Sequence, residues 1–197
     1  MKKLLLTLTA ATAISFAANA QTEQGKFILG GQVGFAGETV KDSDVKSNGF
    51  SIVPQVGYFV ADNIAVGTGV GYKWDKKENS SNTESTNSAF VLAPYGRMYS
   101  KNEGPVKFFG QLTVPMSWGT SKTDDTKTGT TANYGVELAP GIAYFPTSNI
   151  GIELKVRGLY YNNSTREDKL VDNKVTTNQY GLDVNSLAPT LGVQFHF

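Results

Sequence analysis

One histidine, no cysteine, and a set of lysines, arginines and carboxylates inside stretches of alternating polarity are what this 197-residue sequence offers for chemistry. The histidine, His196, stands one residue from the end. A His/Cys metal cluster needs more ligands than that, and with the one histidine in the closing segment no Ser-His-Asp arrangement is indicated. Asp42-Ser43-Asp44 starts like a calcium loop, but Lys46 falls at the third ligand position and no Glu follows at the required spacing. The run GTGVG, from Gly67 to Gly71, lacks the GxGxxG spacing of a phosphate-binding turn, and no helical pattern follows it. Asn79-Ser80-Ser81, Asn162-Asn163-Ser164 and Asn163-Ser164-Thr165 match glycosylation sequons, which stretches rich in Asn, Ser and Thr produce by chance. The sequence therefore assigns no catalytic, cofactor-binding or metal-binding residue; it reads as a protein that is not an enzyme and needs no cofactor. What remains is a group of charges, Lys73, Arg97, Lys107, Lys155 and Arg157 against Glu137 and Glu153. Their role depends on which way the segments carrying them face.

The elements begin after a leader. Lys2 and Lys3 precede an apolar run from Leu4 to Ala17, and Ala18-Asn19-Ala20 follows as an A-x-A cleavage signal. This is the layout of a secretory signal peptide, so residues 1–20 are expected to be removed and Gln21 to start the mature domain, 21–197. The run falls short of the roughly 20 residues of a spanning helix and is diluted with Thr and Ser. Without Lys2 and Lys3 the chain has 16 Lys+Arg against 17 Asp+Glu, a formal charge of −1, which gives no electrostatic case for nucleic acid. Export without cysteine also means that no disulfide framework holds the fold. No later apolar run reaches 18 residues, and the mean hydropathy is −0.24. That excludes a helical membrane protein and leaves a β-barrel open, because alternate residues of a barrel strand face a polar lumen.

Eight segments alternate between apolar and mixed residues: Lys26 to Phe35, Gly49 to Val60, Ile64 to Trp74, Ser88 to Tyr99, Val106 to Trp118, Asn133 to Phe145, Ile150 to Tyr161 and Ser186 to Phe197. Each is long enough for a tilted strand to cross a bilayer. The connections also alternate. Short turns join the second segment to the third, the fourth to the fifth and the sixth to the seventh. Long polar stretches, AGETVKDSDVKSN, DKKENSSNTESTN, GTSKTDDTKTGTTA and Asn162 to Asn185, follow the first, third, fifth and seventh. The last alternates around Leu170, Val171 and Val175, which predicts a hairpin protruding beyond the wall with an edge open to a partner. Residues 54–66, PQVGYFVADNIAV, align with 140–152, PGIAYFPTSNIGI, as hairpin duplication would produce.

One parity of every segment is apolar, for example Phe50, Ile52, Pro54, Val56, Tyr58 and Val60, or Ile150, Ile152, Leu154, Val156 and Tyr160. The other parity carries Gln32, Gln55, Gln111, Gln194 and the charges, among many Gly and Ala. A secreted lipocalin-like barrel would turn the apolar parity inward around a ligand; a membrane barrel would turn it out. Gly67, Gly69, Gly71, Ala89, Ala93, Ala139, Gly141 and Ala143 all sit on the polar parity. A solvated face has no use for such small residues, whereas a narrow lumen needs the clearance. Aromatics collect near both ends of the apolar parity, with Phe27, Tyr58, Tyr144, Phe195 and Phe197 near the short turns and Phe50, Tyr72, Trp74, Phe90, Trp118, Tyr134 and Tyr160 near the long stretches. Two aromatic bands are the interfacial girdles of a membrane barrel. The expected fold is all-β, an eight-stranded antiparallel up-and-down transmembrane β-barrel. Pro54, Pro94, Pro140 and Pro189 each remove a ladder donor and predict bulges or weakened pairing.

The cleavable leader, the PxxxYFxxxNI unit, the eight alternating segments and the aromatic last strand together resemble the small outer-membrane β-barrel proteins of Gram-negative bacteria, of the OmpX and OmpA transmembrane-domain type. The resemblance implies residence in the outer membrane as a monomer, with the lipid bilayer as environment, short turns and both termini periplasmic, and long loops extracellular. It also implies that the barrel-assembly machinery reads the terminal strand ending at Phe197. The expected role is structural or surface-interacting, with a protein partner held by the long loops and a lumen filled by ion-paired side chains; a narrow porin-like channel is the rival reading, and a soluble lipocalin-like binder a third. The closing SLAPTLGVQFHF must pair on both sides for the cylinder to close. Deletion of Phe197 is therefore expected to reduce insertion, read as loss of the heat-modifiable band from the outer-membrane fraction. Normal assembly of the truncation would count against this.

Overall fold

The computed structural model describes residues 22–40, 45–79, 83–101, 104–183 and 190–197. The expected leader 1–20, Gln21, the Asp42–Asp44 stretch and Pro189 lie outside them, as does the side chain of Gln32. Every described element is a strand: β1 (Phe27–Val40), β2 (Val45–Ala61), β3 (Ile64–Glu78), β4 (Glu84–Tyr99), β5 (Val106–Thr113), β6 (Met116–Thr123), β7 (Thr126–Thr147), β8 (Ile150–Lys155), β9 (Leu159–Asp168), β10 (Asn173–Leu182) and β11 (Thr190–His196). All pairings are antiparallel. β1 to β4 pair in sequence, β4 pairs with β5 and β6, both of these pair with β7, and β7 pairs with β8 and β9. β8 then pairs with β11, and β11 returns to β1. The eleven segments thus build a closed ring of eight staves. The fifth stave is β5 with β6, the seventh is β8 with β9, and the eighth is β11 continued by β10 beyond the wall.

The seam lies between the first and last staves. Ile28 to Gly31 pair with His196 to Val193. The Phe27 amide donates to the Phe197 carbonyl at 2.6 Å, and the Phe197 amide donates back to Phe27 at 3.1 Å. The last residue is thereby held by two main-chain bonds, which answers the usual tendency of a terminus to fray.

The polar connections expected as loops are largely strand. β1 and β2 stay paired as far as Val40 and Val45, β3 and β4 as far as Glu78 and Glu84, and β6 and β7 as far as Thr123 and Thr126. The expected protruding hairpin is present, with β9 and β10 paired from Leu159 and Leu182 up to Asp168 and Asn173. Thr-rich sequence suits extended backbone. At the Asp124-Asp125 tip both residues have positive φ, 45° and 62°, as a two-residue type I′ turn requires. Lys76 Nζ lies 2.6 Å from the Glu84 carboxylate across one of these extensions, and that hydrogen bond raises the lysine pKa.

The apolar parity faces outward and exposed throughout the ring, including Phe50, Ile52, Val56, Tyr58, Tyr72, Phe90, Trp118, Leu138, Tyr144, Val193 and Phe195. A soluble protein does not show an apolar belt of this extent, and the lipocalin-like alternative falls with it. The seventh stave departs from the expected parity. Gly141 still pairs with Lys155, but Leu138 pairs with Leu159, so residues 156–158 occupy the space of 139–140 opposite. This one-residue bulge reverses the faces beyond it: Leu159 and Tyr161 point out, Tyr160 turns inward, and Val156 sits in the bulge, not on the outer face.

The bulge stands opposite Pro140. Val156 donates to the Pro140 carbonyl at 3.1 Å, but proline has no N–H to return the bond. At Pro94 the same half-bond survives, Val114 donating to its carbonyl at 2.9 Å, and the facing stave breaks at 114–115 without a register change. Beside Pro54 the β2–β3 pairing lapses between Ile52 and Gln55 and then resumes in register. Three of the four proline expectations thus hold.

Glycines on the inner face make room for rings. A Cβ on Gly67 would lie 2.6 Å from Tyr95 Cζ, and one on Gly141 would strike the tip of the Phe109 ring. Gly110, on the outer face of β5, has nothing within 4 Å of the same position. Gly67→Val should therefore lose about 1–3 kcal/mol through overpacking, while Gly110→Val should be neutral or mildly stabilising. Urea unfolding of the refolded barrel in micelles distinguishes the two, and equal effects would refute the clearance argument.

Candidate functional site

The repeated hairpin builds the floor of the lumen. In each copy a Tyr-Phe doublet splits across the wall: Tyr58 and Tyr144 are exposed outside, while Phe59 and Phe145 are fully buried inside. The turn asparagine of each copy then fixes the base of the next stave. The Asn63 carbonyl accepts from the Tyr99 amide and the Asn149 carbonyl accepts from the His196 amide, both at 2.8 Å. Tyr99 and His196 are thus equivalent members of one floor. Ring centroids lie 5.9 Å apart for Phe59 and Tyr99, 5.7 Å for Phe59 and His196, and 5.1 Å for Phe145 and His196. With Ile28, Ala65, Phe109 and Ala143, the rings of Phe59, Tyr99 and Phe145 form a buried apolar cluster against which His196 packs. His196 is packed among rings at the short-turn end, as expected of a lumen histidine.

A charged layer sits on this floor. Arg97 reaches across the lumen from the fourth stave to Glu153 on the seventh, with Nη1 2.5 Å from the carboxylate. The same nitrogen donates to the Tyr99 hydroxyl at 2.8 Å, and that hydroxyl donates to Glu153 at 3.0 Å. Arg97 Nε donates to Gln111 Oε1 at 2.9 Å, and Gln111 Nε2 donates to Thr113 Oγ1 at 2.9 Å. The guanidinium also faces the Phe109 ring at 4.6 Å. Arg97 and Glu153 are each about 4% exposed, so each charge depends on the other, and removing one partner of such a buried pair costs about 3–5 kcal/mol.

The charges expected in the lumen are therefore partly gathered. Arg97, Lys107 and Glu153 are buried there, and Lys155 is half-buried beside them. Arg157, displaced by the bulge, is half exposed; it bridges Glu137 at 3.4 Å and stacks on Tyr160 at 3.8 Å. Lys73 lies higher, in the lining of a cavity toward the long-hairpin end. Sequence reasoning placed Glu137 level with Arg157 but missed both the cross-lumen pair and the aromatic floor. The floor had a signal, since Tyr58-Phe59, Met98-Tyr99, Phe108-Phe109 and Tyr144-Phe145 are all places where both parities turn apolar near a short turn. Among the described residues no group of three His, Cys, Asp or Glu could hold a metal ion.

The opposite end carries the hairpins. Among the described residues β10 pairs with β9 alone, and Tyr180 and Leu182 are 80% and 66% exposed. Asp183 donates to Gly158, so main-chain groups of odd-numbered residues on β10 face β9. By alternation those of Lys174, Thr176, Asn178 and Tyr180 face the open side.

The sequence model of the outer membrane protein beta-barrel domain family matches residues 6–195. Nothing among the curated proteins matches the sequence. Among solved structures, Neisserial surface protein A is similar at a TM-score of 0.52 and 14% identity, with 88% of this chain and 98% of that chain covered. The outer membrane protein OprG from Pseudomonas aeruginosa is similar at 0.52 and 12%, with 91% and 99% covered. At these identities the likeness concerns the fold. With an apolar belt around a closed antiparallel ring and a family match over nearly its whole length, this chain belongs to the outer-membrane β-barrel proteins and resides in the outer membrane.

Proposed function

We propose that the protein is a non-catalytic, monomeric barrel that is closed to bulk solutes and acts at the cell surface through its long hairpins. The observation that carries the closed reading is the Arg97–Glu153 pair, which spans the lumen directly above the Phe59, Tyr99, Phe145 and His196 floor. An eight-stave barrel leaves an interior that side chains can fill, and here each layer from the floor to Gln111 carries bulky groups. In this reading residues 1–20 are a cleaved leader, the short turns and both termini are periplasmic, and the terminal strand ending at Phe197 engages the barrel-assembly machinery. The hairpins are then extracellular, and the open edge of β10 offers main-chain donors and acceptors to a strand of a surface partner.

Planar-bilayer recording of the refolded protein tests the closed lumen. No steady conductance is expected; steady, voltage-independent current would establish the channel reading in its place. The surface role is tested separately with Thr176→Pro, which removes one donor on the open side of β10 and leaves the β9 ladder intact. Cells displaying this variant at equal surface amount are expected to adhere to neighbouring cells and host surfaces less than wild type, and equal adherence would remove β10 from the account.

A further inference from the structure

Above the charged layer the lumen widens into a half-open cavity of about 350 Å³ at the long-hairpin end. The register brings its lining together from five consecutive positions of the ring. Asp75 on β3 faces Asn87 on β4, Asn87 faces Ser121 on β6, Ser117 on β6 faces Asn133 on β7, and Thr131 on β7 faces Arg166 on β9. Lys73, one step below Asp75 on the same face, closes the lower side. Ala89 and Gly119 stand paired in the middle, and a Cβ on Gly119 would come within 3.3 Å of the Ala89 methyl. The hollow exists because these two central positions are small.

Its polar groups are already ordered. Asn87 Nδ2 donates to Asp75 at 2.8 Å, Ser121 Oγ donates to Asn87 Oδ1 at 2.7 Å, and Asn133 Nδ2 donates to Ser117 Oγ at 3.0 Å. Those bonds leave the second Asp75 oxygen and Asn133 Oδ1 as acceptors, and the Ser117 hydroxyl and the second Asn87 N–H as donors. Lys73 and Arg166 form no ion pair among the described residues, and with Asp75 they give the cavity a formal charge of +1. No aromatic ring or large aliphatic side chain lines it, so an apolar ligand finds nothing to bury against. Donors interleaved with acceptors suit a ligand dense in hydroxyls, and the balance of two cations against one carboxylate suits a single negative charge better than a dianion.

We propose that this cavity binds a small acidic sugar, its carboxylate held between Lys73 and Arg166 and its hydroxyls on the Asn87, Ser121 and Asn133 row. The volume lies at the small end of ligand pockets, enough for one ring. The charged layer below gives the site a closed base, so the ligand enters and leaves by the hairpin end. The proposal does not depend on the β10 edge, and its failure would leave the surface reading untouched.

The test is calorimetric titration of the full-length barrel in micelles with D-glucuronate, D-glucose and acetate. Glucuronate is expected to bind saturably, with glucose (hydroxyls without charge) and acetate (charge without hydroxyls) each about tenfold weaker or more, the worth of one lost charge-assisted bond. Lys73→Gln and Arg166→Gln should each weaken glucuronate by about tenfold while retaining heat-modifiable migration, and Lys174→Gln, on β10 away from the cavity, should leave binding unchanged. Absence of saturable glucuronate binding, equal affinity for acetate or for glucose, or an equal effect of Lys174→Gln would each overturn the proposal.

Discussion

A strand in lipid has no water to satisfy its backbone, so every N–H and C=O must find a partner within the sheet. In this molecule that requirement converges on the seam where β11 lies between β8 and β1. Gly192, Val193, Gln194 and Phe195 pair with Glu153 through Ile150 on one side, and His196 through Val193 pair with Ile28 through Gly31 on the other. Loss of β11 would open two edges at once. The pair of bonds between Phe27 and Phe197 extends the seam to the last residue, and everything inside the ring presupposes it.

Closure at eight staves also sets the chemistry of the interior. The lumen is narrow enough that a ring from one stave needs a glycine on another, as Tyr95 needs Gly67 and Phe109 needs Gly141. Such a space admits little solvent, so a charge placed in it must be answered by another across the gap. Arg97 and Glu153 meet this demand, and Tyr99 and Gln111 satisfy their remaining hydrogen-bonding groups. Toward the hairpins the inward residues shrink to Ser, Ala, Gly and Asn, and the lumen opens. The same wall is thus a packed core at one end and a cup at the other, by side-chain volume alone.

What could be read in advance follows from how each feature is written along the chain. Strand faces were legible because lipid demands apolar residues at strict alternation, and glycine on the other parity distinguished lumen from solvent. The extensions at the first three long connections were not, because a strand with water on both faces carries no apolar parity; the upper end of β3, DKKE, has the composition of a loop, and only the last hairpin, around Leu170, Val171 and Val175, left a pattern to read. The cross-lumen pair was hidden because Arg97 and Glu153 stand on staves that are not neighbours, so no hairpin register brings them together. The slip at 156–158 was missed because Tyr160 and Tyr161 are adjacent, and either could serve the outer band.

The internal repeat shows where that chemistry departs from symmetry. Asn63 and Asn149, Phe59 and Phe145, and Tyr99 and His196 occupy matching places in the two halves. By the same correspondence Gly67 matches Glu153, and Tyr95 matches Gly192. Gly67 pairs with Tyr95 across β3 and β4, while Glu153 pairs with Gly192 across β8 and β11. Each cross-strand pair therefore holds one large and one minimal residue, but the large member lies on opposite sides of the pair in the two halves. That exchange conserves the filled volume of the layer while putting a carboxylate on the seventh stave, where Arg97 can reach it. Arg97 itself matches Gln194, so the repeat supplies neither charge in both copies. The floor is the part of the plug that the two halves share, and the ion pair above it stands where they do not match.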